Sequence, residues 1–406
     1  MGNNIPQGYK ATALGIIPQE WKTIRLKDCF SISAGGDVQK DCFSEAPSLQ
    51  YKYPIYSNSL FNHGLYGFTS HPRHKANSIT ITGRGALGHA EYREIDFDAI
   101  VRLLVLAPKI PLNGQYITEY INFRKPFFYE STGVPQLTAP QIANIQVLFP
   151  PLGEQRKIAE VLGVWDEAIE KQARLIEKLD LRKRGLMQRL LSAKLRLPGF
   201  SEPWKKVKLG DIGDTYNGLS GKNKDDFEYG NAQFIPYINV FSNERIDTNN
   251  LGCVQIEPNE QQNTVKYGDI FFTVSSETPD EVGMASVLLE HLDNTYLNSF
   301  CFGYRLNDFS TLNPFFAAYL FRTEHFRNYM SVLAQGSTRF NISKKEVMKL
   351  KIDLPTIEEQ TAIAEVLTAA DREIELAKEK LERLRRQKRG LMQQLLSGKK
   401  RVKINI

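Results

Sequence analysis

The sequence predicts an α+β fold: two variable α+β domains and a pair of long antiparallel coiled-coil helices, related by an internal pseudo-two-fold repeat. Three observations predict it. The decapeptide KRGLMQRLLS at residues 183–192 returns as KRGLMQQLLS at 388–397, 205 positions later, with a single change. The residues before each copy place apolar side chains in alternating steps of four and three, the seam of a coiled coil. The stretches between the copies break into short period-two runs, as strands do.

Residues 1–150 form the first domain. SITITG (Ser78 to Gly83) and AIVRLLVLA (Ala99 to Ala107) read as strands, and YITEYINF (Tyr116 to Phe123) as a helix. Residues 151–195 form the first long helix, with its seam at Ile158, Leu162, Trp165, Ile169, Ile176, Leu179, Leu186 and Leu190 and with Gln172 and Lys183 in the two gaps. About 40 residues at ~1.5 Å each span roughly 60 Å.

Residues 196–354 form the second domain. Its opening, SEPWKKVKLGD, aligns with IPQEWKTIRLKD near the start of the chain, Trp204 on Trp21, at a shift of 183. DIFFTV (Asp269 to Val274) and CFGYRL (Cys301 to Leu306) are its strands, and Asn313-Pro314 is an N-cap and first-turn proline before FFAAYLF. Residues 355–406 form the second long helix, with its seam at Ile363, Leu367, Ala370, Ile374, Ala377, Leu381, Leu384, Lys388, Leu391 and Leu395. Between residues 150–192 and their copy, 22 of 43 positions are identical, far beyond chance.

A helix with one apolar stripe must bury it. Its own duplicate is the expected partner, paired antiparallel, with one domain at each end of a rod. Lys183 and Lys388 at the seam either fix its register or snorkel to solvent.

Composition narrows the function classes. With 42% hydrophobic and 24% charged residues the chain is globular. No apolar run approaches the ~20 residues of a membrane span, and MGNNIPQGYK lacks a signal-peptide core, so a cytoplasmic protein with no membrane contact is expected. Cys29, Cys42, Cys253 and Cys301 fall at no metal-ligand spacing and read as reduced thiols. Gly83 to Gly88 spells GxGxxG after a strand, but HAEYREIDFD does not continue as an apolar-periodic helix, which excludes a dinucleotide loop. His63, His71 and His74 bunch without a Cys or carboxylate to complete a ligand set, so no metal is expected. No catalytic grouping stands out.

The formal charge of +6 divides as +3 for residues 1–150, +4 for 151–199, −5 for 200–354 and +4 for 355–406. LRKRG and LRRQKRG put local positive charge on the helices, as phosphate binding requires.

The doubled PPLGEQ/PTIEEQ, IAEVL and KRGLMQ(R/Q)LLS blocks, each closing a variable domain that opens near a Trp, resemble the DNA-specificity subunit of type I restriction-modification systems. The resemblance runs from about Ile17 to Ser397 and includes YPIYSNS, TGRGALGHA and STGVPQLT in the first domain and IPYINVFSN, TVSSETPDEVGMA and QGSTRFNIS in the second. The second domain departs from the Gly-x-Gly turn at Val274 to Glu277.

The resemblance implies two target recognition domains, each reading one half of a bipartite, asymmetric double-stranded DNA target. It implies that the helices set the unread spacer and dock two methyltransferase subunits, with restriction/translocase subunits joining them. It implies a non-catalytic chain with no cofactor of its own, S-adenosylmethionine, ATP and Mg belonging to the partners. Candidate base readers in loops are Asn58, Arg73, Arg84 and Gln136 in the first domain and Asn239, Ser275, Arg339 and Asn341 in the second. Arg84, between two glycines, is of the type that pairs bidentately with guanine. Two other classes stay open: a coiled-coil scaffold joining two protein-binding modules, and a self-contained DNA methyltransferase or nuclease.

Overall fold

The computed structural model describes residues 5–125 and 135–403. The chain divides into two compact units, Met1–Arg174 with Lys378–Ile406, and Leu175–Ala377. The long helices are therefore not domains of their own. The first, Leu152–Leu190, and the second, Ile357–Leu395, each give one segment to either unit.

The first unit contains β1 (Lys22–Arg25), β2 (Phe30–Ala34), β3 (Phe43–Ser44), β4 (Tyr53–Tyr56), β5 (Leu65–Thr69), β6 (Ser78–Thr82), β7 (Ala90–Arg93), β8 (Asp98–Ala99) and β9 (Leu103–Pro108), then α1 (Gly114–Arg124), α2 (Ala139–Ala143) and β10 (Gln146–Phe149). Its main sheet is antiparallel in the order β2-β9-β6-β7, and a second sheet runs β8-β4-β5-β3, with β8 parallel to β4. All five residues of β6 are buried, so the alternating SITIT run is covered on both faces. The run Ala99 to Ala107, expected as one strand, is two: Ala99 ends β8 in the second sheet and Leu103 opens β9 in the first. Residues 100–102 turn the chain between the sheets.

The second unit repeats this plan with β11 (Lys205–Lys208), β12 (Gly213–Asn217), β13 (Phe227–Ile235), α3 (Tyr237–Ser242), β14 (Gly252–Val254), β15 (Ile270–Thr273), β16 (Ser275–Ser276), β17 (Ala285–Val287), β18 (Thr295–Leu297) and β19 (Cys301–Leu306), then α4 (Pro314–Leu320), α5 (Glu324–Leu333), β20 (Phe340–Asn341) and β21 (Lys351–Leu354). Its main sheet runs β12-β19-β15-β17, strand for strand the order of the first unit. The second sheet is β14-β13-β18, again with one parallel pair, β13 with β18.

In each unit a two-stranded ladder, β1 with β10 or β11 with β21, delivers the chain to a long helix. A glutamine in that helix's first turn locks the junction. Gln155 donates to Pro150 O at 2.9 Å and accepts from Asn113 N at 2.9 Å, while Gln360 donates to Pro355 O at 3.0 Å and accepts from Asn313 N at 2.9 Å. The two asparagines cap α1 and α4 with their side chains.

The helix segments pair antiparallel inside each unit. In the first, Ile158 and Leu162 share a core with Leu391, Met392 and Leu395; in the second, Leu186 and Leu190 share one with Ile363 and Leu367. Matched ion pairs, 205 residues apart on both sides, fix the register. Arg401 makes a bidentate pair with fully buried Glu154 at 2.6 and 2.8 Å, and Arg196 makes the same pair with Glu359 at 2.6 and 2.7 Å. The lysines do not snorkel. Lys388 binds Glu119 at 3.0 Å and Asp166 at 2.6 Å; Lys183 binds Glu244 at 2.9 Å and Asp371 at 2.6 Å. Burial works against the charge on Lys183, but the two carboxylates outweigh it and hold its pKa above the ordinary value.

Candidate nucleic-acid interface

At one end of each main sheet a turn projects from the strand that ends in threonine. In the first unit residues 83–89 join β6 to the antiparallel β7, so the GxGxxG string is a strand-to-strand turn and not the strand-to-helix loop that holds a dinucleotide. Gly83 accepts the amide of Leu137 on its carbonyl and gives its own amide to Arg102 O, both at 3.0 Å. A side chain there would meet Arg102 O at 2.5 Å, so in this unit the backbones approach too closely for any residue but glycine without a shift.

Asn58, just beyond β4, clamps the turn. Its Oδ1 accepts Gly83 N at 2.8 Å and Arg84 N at 3.4 Å, and its Nδ2 donates to Arg84 O. Gln136 Oε1 accepts Arg84 Nε at 3.1 Å and Arg102 Nη1 at 3.4 Å. Two guanidinium groups thus stand side by side, oriented by one amide, at a partly exposed tip.

The second unit builds the same scaffold from different residues. Val274 stands where Gly83 does, donating to Phe300 O at 2.9 Å and accepting from Ile342 N at 3.0 Å. Thr82 Oγ1 receives His89 N at 2.9 Å, and Thr273 Oγ1 receives Met284 N at 2.9 Å. The register therefore sets Ser275 on Arg84, Asn341 on Gln136 and Phe300 on Arg102. Tyr237 takes the place of Asn58, its hydroxyl donating to Ser275 O at 2.9 Å. Burial raises the Tyr237 pKa and keeps that hydroxyl protonated.

Three of the four first-domain candidates, Asn58, Arg84 and Gln136, therefore converge. Arg73 does not join them: its Nε pairs with buried Asp98 at 2.7 Å and its Nη2 donates to Asp37 O at 3.1 Å, bracing the second sheet. In the second domain Ser275 and Asn341 are paired residues of β16 and β20, and exposed Arg339 lies beside them, its carbonyl 3.4 Å from Asn341 Nδ2. Asn239 is buried. Its amide binds Asp247 O, Asn250 O, Asp247 N and Asn243 Nδ2 at 2.8–3.0 Å, so it holds a loop and has nothing left for a base. Residues 131–134 of STGVPQLT lie outside the described residues.

Sequence reasoning missed Arg102, Tyr237 and Phe300. The arginine lies inside a run that reads as a strand, Phe300 has no polar group, and nothing local to Tyr237 shows that its hydroxyl reaches Ser275 O, 38 residues away. Of the expected seam residues, Ile158, Leu162, Leu190, Ile363, Leu367, Ile374 and Leu395 are buried, while Trp165, Ile169, Leu186 and Leu391 are half-buried.

The family described as type I restriction modification DNA specificity domain matches residues 18–180 and 201–386. The chain belongs to that family. Both matched segments cover one tip and most of the long helix that follows it. Among curated relatives in the family, the type I restriction enzyme MjaVIII specificity subunit of Methanocaldococcus jannaschii is 24% identical over 95% of this chain and 94% of its own length. The putative MjaX specificity subunit of the same organism is 25% identical over 98% and 97%. The fold is similar to that of the S subunit of a type I restriction-modification system from M. genitalium, with a TM-score of 0.59 at 16% identity over 98% of this chain and 97% of that one.

No helix among the described residues is long and apolar enough to cross a membrane. Among the same residues no group of three or more His, Cys, Asp or Glu side chains is placed to hold a metal ion.

Proposed function

We propose that this chain is the DNA-recognition subunit of a type I restriction-modification assembly, each unit reading one half of a bipartite, asymmetric duplex target. The observation that carries the reading is the pair of tips: one hydrogen-bonded scaffold, made twice, presenting Arg84 and Arg102 in one unit and Ser275, Asn341 and Phe300 in the other. A common scaffold with divergent side chains suits two readers of different sequence. Arginine pairs bidentately with guanine O6 and N7, and asparagine with adenine N6 and N7.

The long helices set the unread spacer between half-sites and dock two methyltransferase subunits. In support, Arg184 and Gln188 of the first decapeptide and Arg389 and Gln393 of the second are all exposed, so the duplicated surface is offered once by each unit. One chain with two like patches suits two copies of one partner. Restriction/translocase subunits complete the assembly, and S-adenosylmethionine, ATP and Mg serve those partners. The chain itself does no chemistry.

Selection from a random duplex library, using the chain purified with its methyltransferase subunits, tests the reading. Two short motifs separated by a fixed gap are expected; a folded complex that enriches no sequence at moderate salt refutes it.

A further inference from the structure

The tips match in their hydrogen bonds and differ in their chemistry, most sharply at one position. Arg102 and Phe300 each precede the strand that pairs with the turn strand, and each carbonyl takes the amide that follows the threonine, Gly83 N at 3.0 Å and Val274 N at 2.9 Å. Arg102 carries a charge beside Arg84. Phe300 is 58% exposed, and its carbonyl is bonded to Val274, the residue before Ser275, which pairs with Asn341. Its backbone is not loose: Phe300 N donates to Asn298 Oδ1 at 2.9 Å, and the next residue, Cys301, is buried.

A single exposed aromatic is ordinary on a protein surface. One whose backbone is bonded in place where the sister unit holds a cation beside its reader is a different matter. A phenyl ring has no hydrogen bond to offer a base edge, and the feature of the major groove that it matches is the C5 methyl of thymine. Asn341, paired with Ser275 at the same tip, is of the type that pairs with adenine, so the tip as a whole fits an A·T pair.

We infer that Phe300 is a specificity-determining residue of the second unit and recognises the 5-methyl group of a thymine in the second half-site. The inference rests on the DNA reading proposed above. It makes the second half-site depend on an apolar contact where the first depends on charge.

The test uses the complex with its methyltransferase subunits and the target found by selection, with each thymine of the second half-site replaced in turn by uracil, which removes only the methyl. Wild-type binding in a gel shift should weaken about three- to fivefold at one position, the scale of burying one methyl group. Phe300→Ala should bind the thymine duplex weaker by a similar factor and be indifferent to uracil there. Its unchanged response to mismatches in the first half-site will show that it is folded. Phe300→Leu, which keeps an apolar surface, should retain part of the discrimination. A second half-site with no thymine on either strand, a wild type that ignores every uracil, or a Phe300→Ala that still discriminates overturns the inference while the DNA reading stands. A pool with no bipartite motif overturns the DNA reading itself.

Discussion

Replacing Lys388 with Met asks how much of the first unit's helix pairing depends on one buried cation. Lys388 Nζ lies 3.0 Å from both oxygens of Glu119 and 2.6 and 2.7 Å from those of Asp166. Lys388 and Glu119 are each 13% exposed and Asp166 is 46% exposed. The half-solvated Asp166 pair contributes at most about 1 kcal/mol. Stranding Glu119 as a charge costs more, about 3–5 kcal/mol for a buried pair broken on one side.

Glu119 has an escape, because burial already raises its pKa from 4.5 to about 7 against the pull of Lys388. By taking a proton it caps the extra penalty of losing Lys388 at about 1.4 kcal/mol for each pH unit above the value of about 7 that it already has beside that lysine. The direction follows from linkage: an acid with a raised folded pKa contributes stability below 4.5, and that contribution is lost as pH rises through about 7. Lys388→Met should therefore destabilise the first unit by about 1 kcal/mol near about pH 5.5, where Glu119 is already protonated and only the Asp166 pair is lost, and by about 2 kcal/mol near about pH 8. A chain of two units is not expected to unfold in one step, so the loss is best read by hydrogen exchange of amides in residues 114–124 and 158–170, corrected for intrinsic rates. Adding Glu119→Gln should flatten the pH dependence. An equal loss at both pH values would mean that Glu119 is not the group left stranded, and the reasoning would fail.

Arg84→Ala should weaken binding through the first half-site by about 10- to 100-fold and leave second-half mismatches as costly as before; equal loss on unrelated DNA would mean that Arg84 touches only phosphate. Four residues inserted at the middle of one long helix should change the spacer length recovered by library selection, and an unchanged spacer would refute the ruler. Trp21 Nε1 donates to buried Glu154 at 2.9 Å, whereas Trp204 Nε1 is buried with no hydrogen-bond partner among the described residues. Trp21→Phe should accordingly cost about 1.5–3 kcal/mol more than Trp204→Phe in the exchange protection of its own unit, and equal costs would sink the argument.

The parts of this fold that were legible in the sequence are those fixed by local pattern. The stripe through Ile158, Leu162, Ile363 and Leu367 shows because a helix must keep one face apolar for its whole length, and the cap at Asn313 shows because proline follows it. Pattern fails where long-range contacts decide. Asn58 and Gln136 are legible as loop amides, but that they hold the backbone and guanidinium of Arg84, across 26 and 52 residues, follows only from the topology. Asn239 offers the same chemistry as Asn58, yet the register after the parallel strand puts Tyr237 on the turn and buries the amide two residues further on. Arg102 hid in an apolar run because two short strands of different sheets, read end to end, imitate one strand.

That failure also explains how one scaffold can serve two specificities. At both tips the bonds that hold the turn are made to backbone atoms: Asn58 and Tyr237 to the carbonyls of Arg84 and Ser275, Leu137 and Ile342 to those of Gly83 and Val274. A side chain whose backbone carries the fold is free to change without unfolding the turn, because no structural hydrogen bond depends on its identity. The clamp itself can change too, from an amide to a phenol, since all it must supply is a donor at the right reach. The helix junctions obey the opposite rule. Glu154 and Glu359, Gln155 and Gln360, Arg401 and Arg196 make their bonds through side chains, and each pair has kept its residue type across the duplication. Divergence has fallen where the backbone does the structural work and identity where side chains do it, which places the variable chemistry at the tips and the invariant surface on the helices.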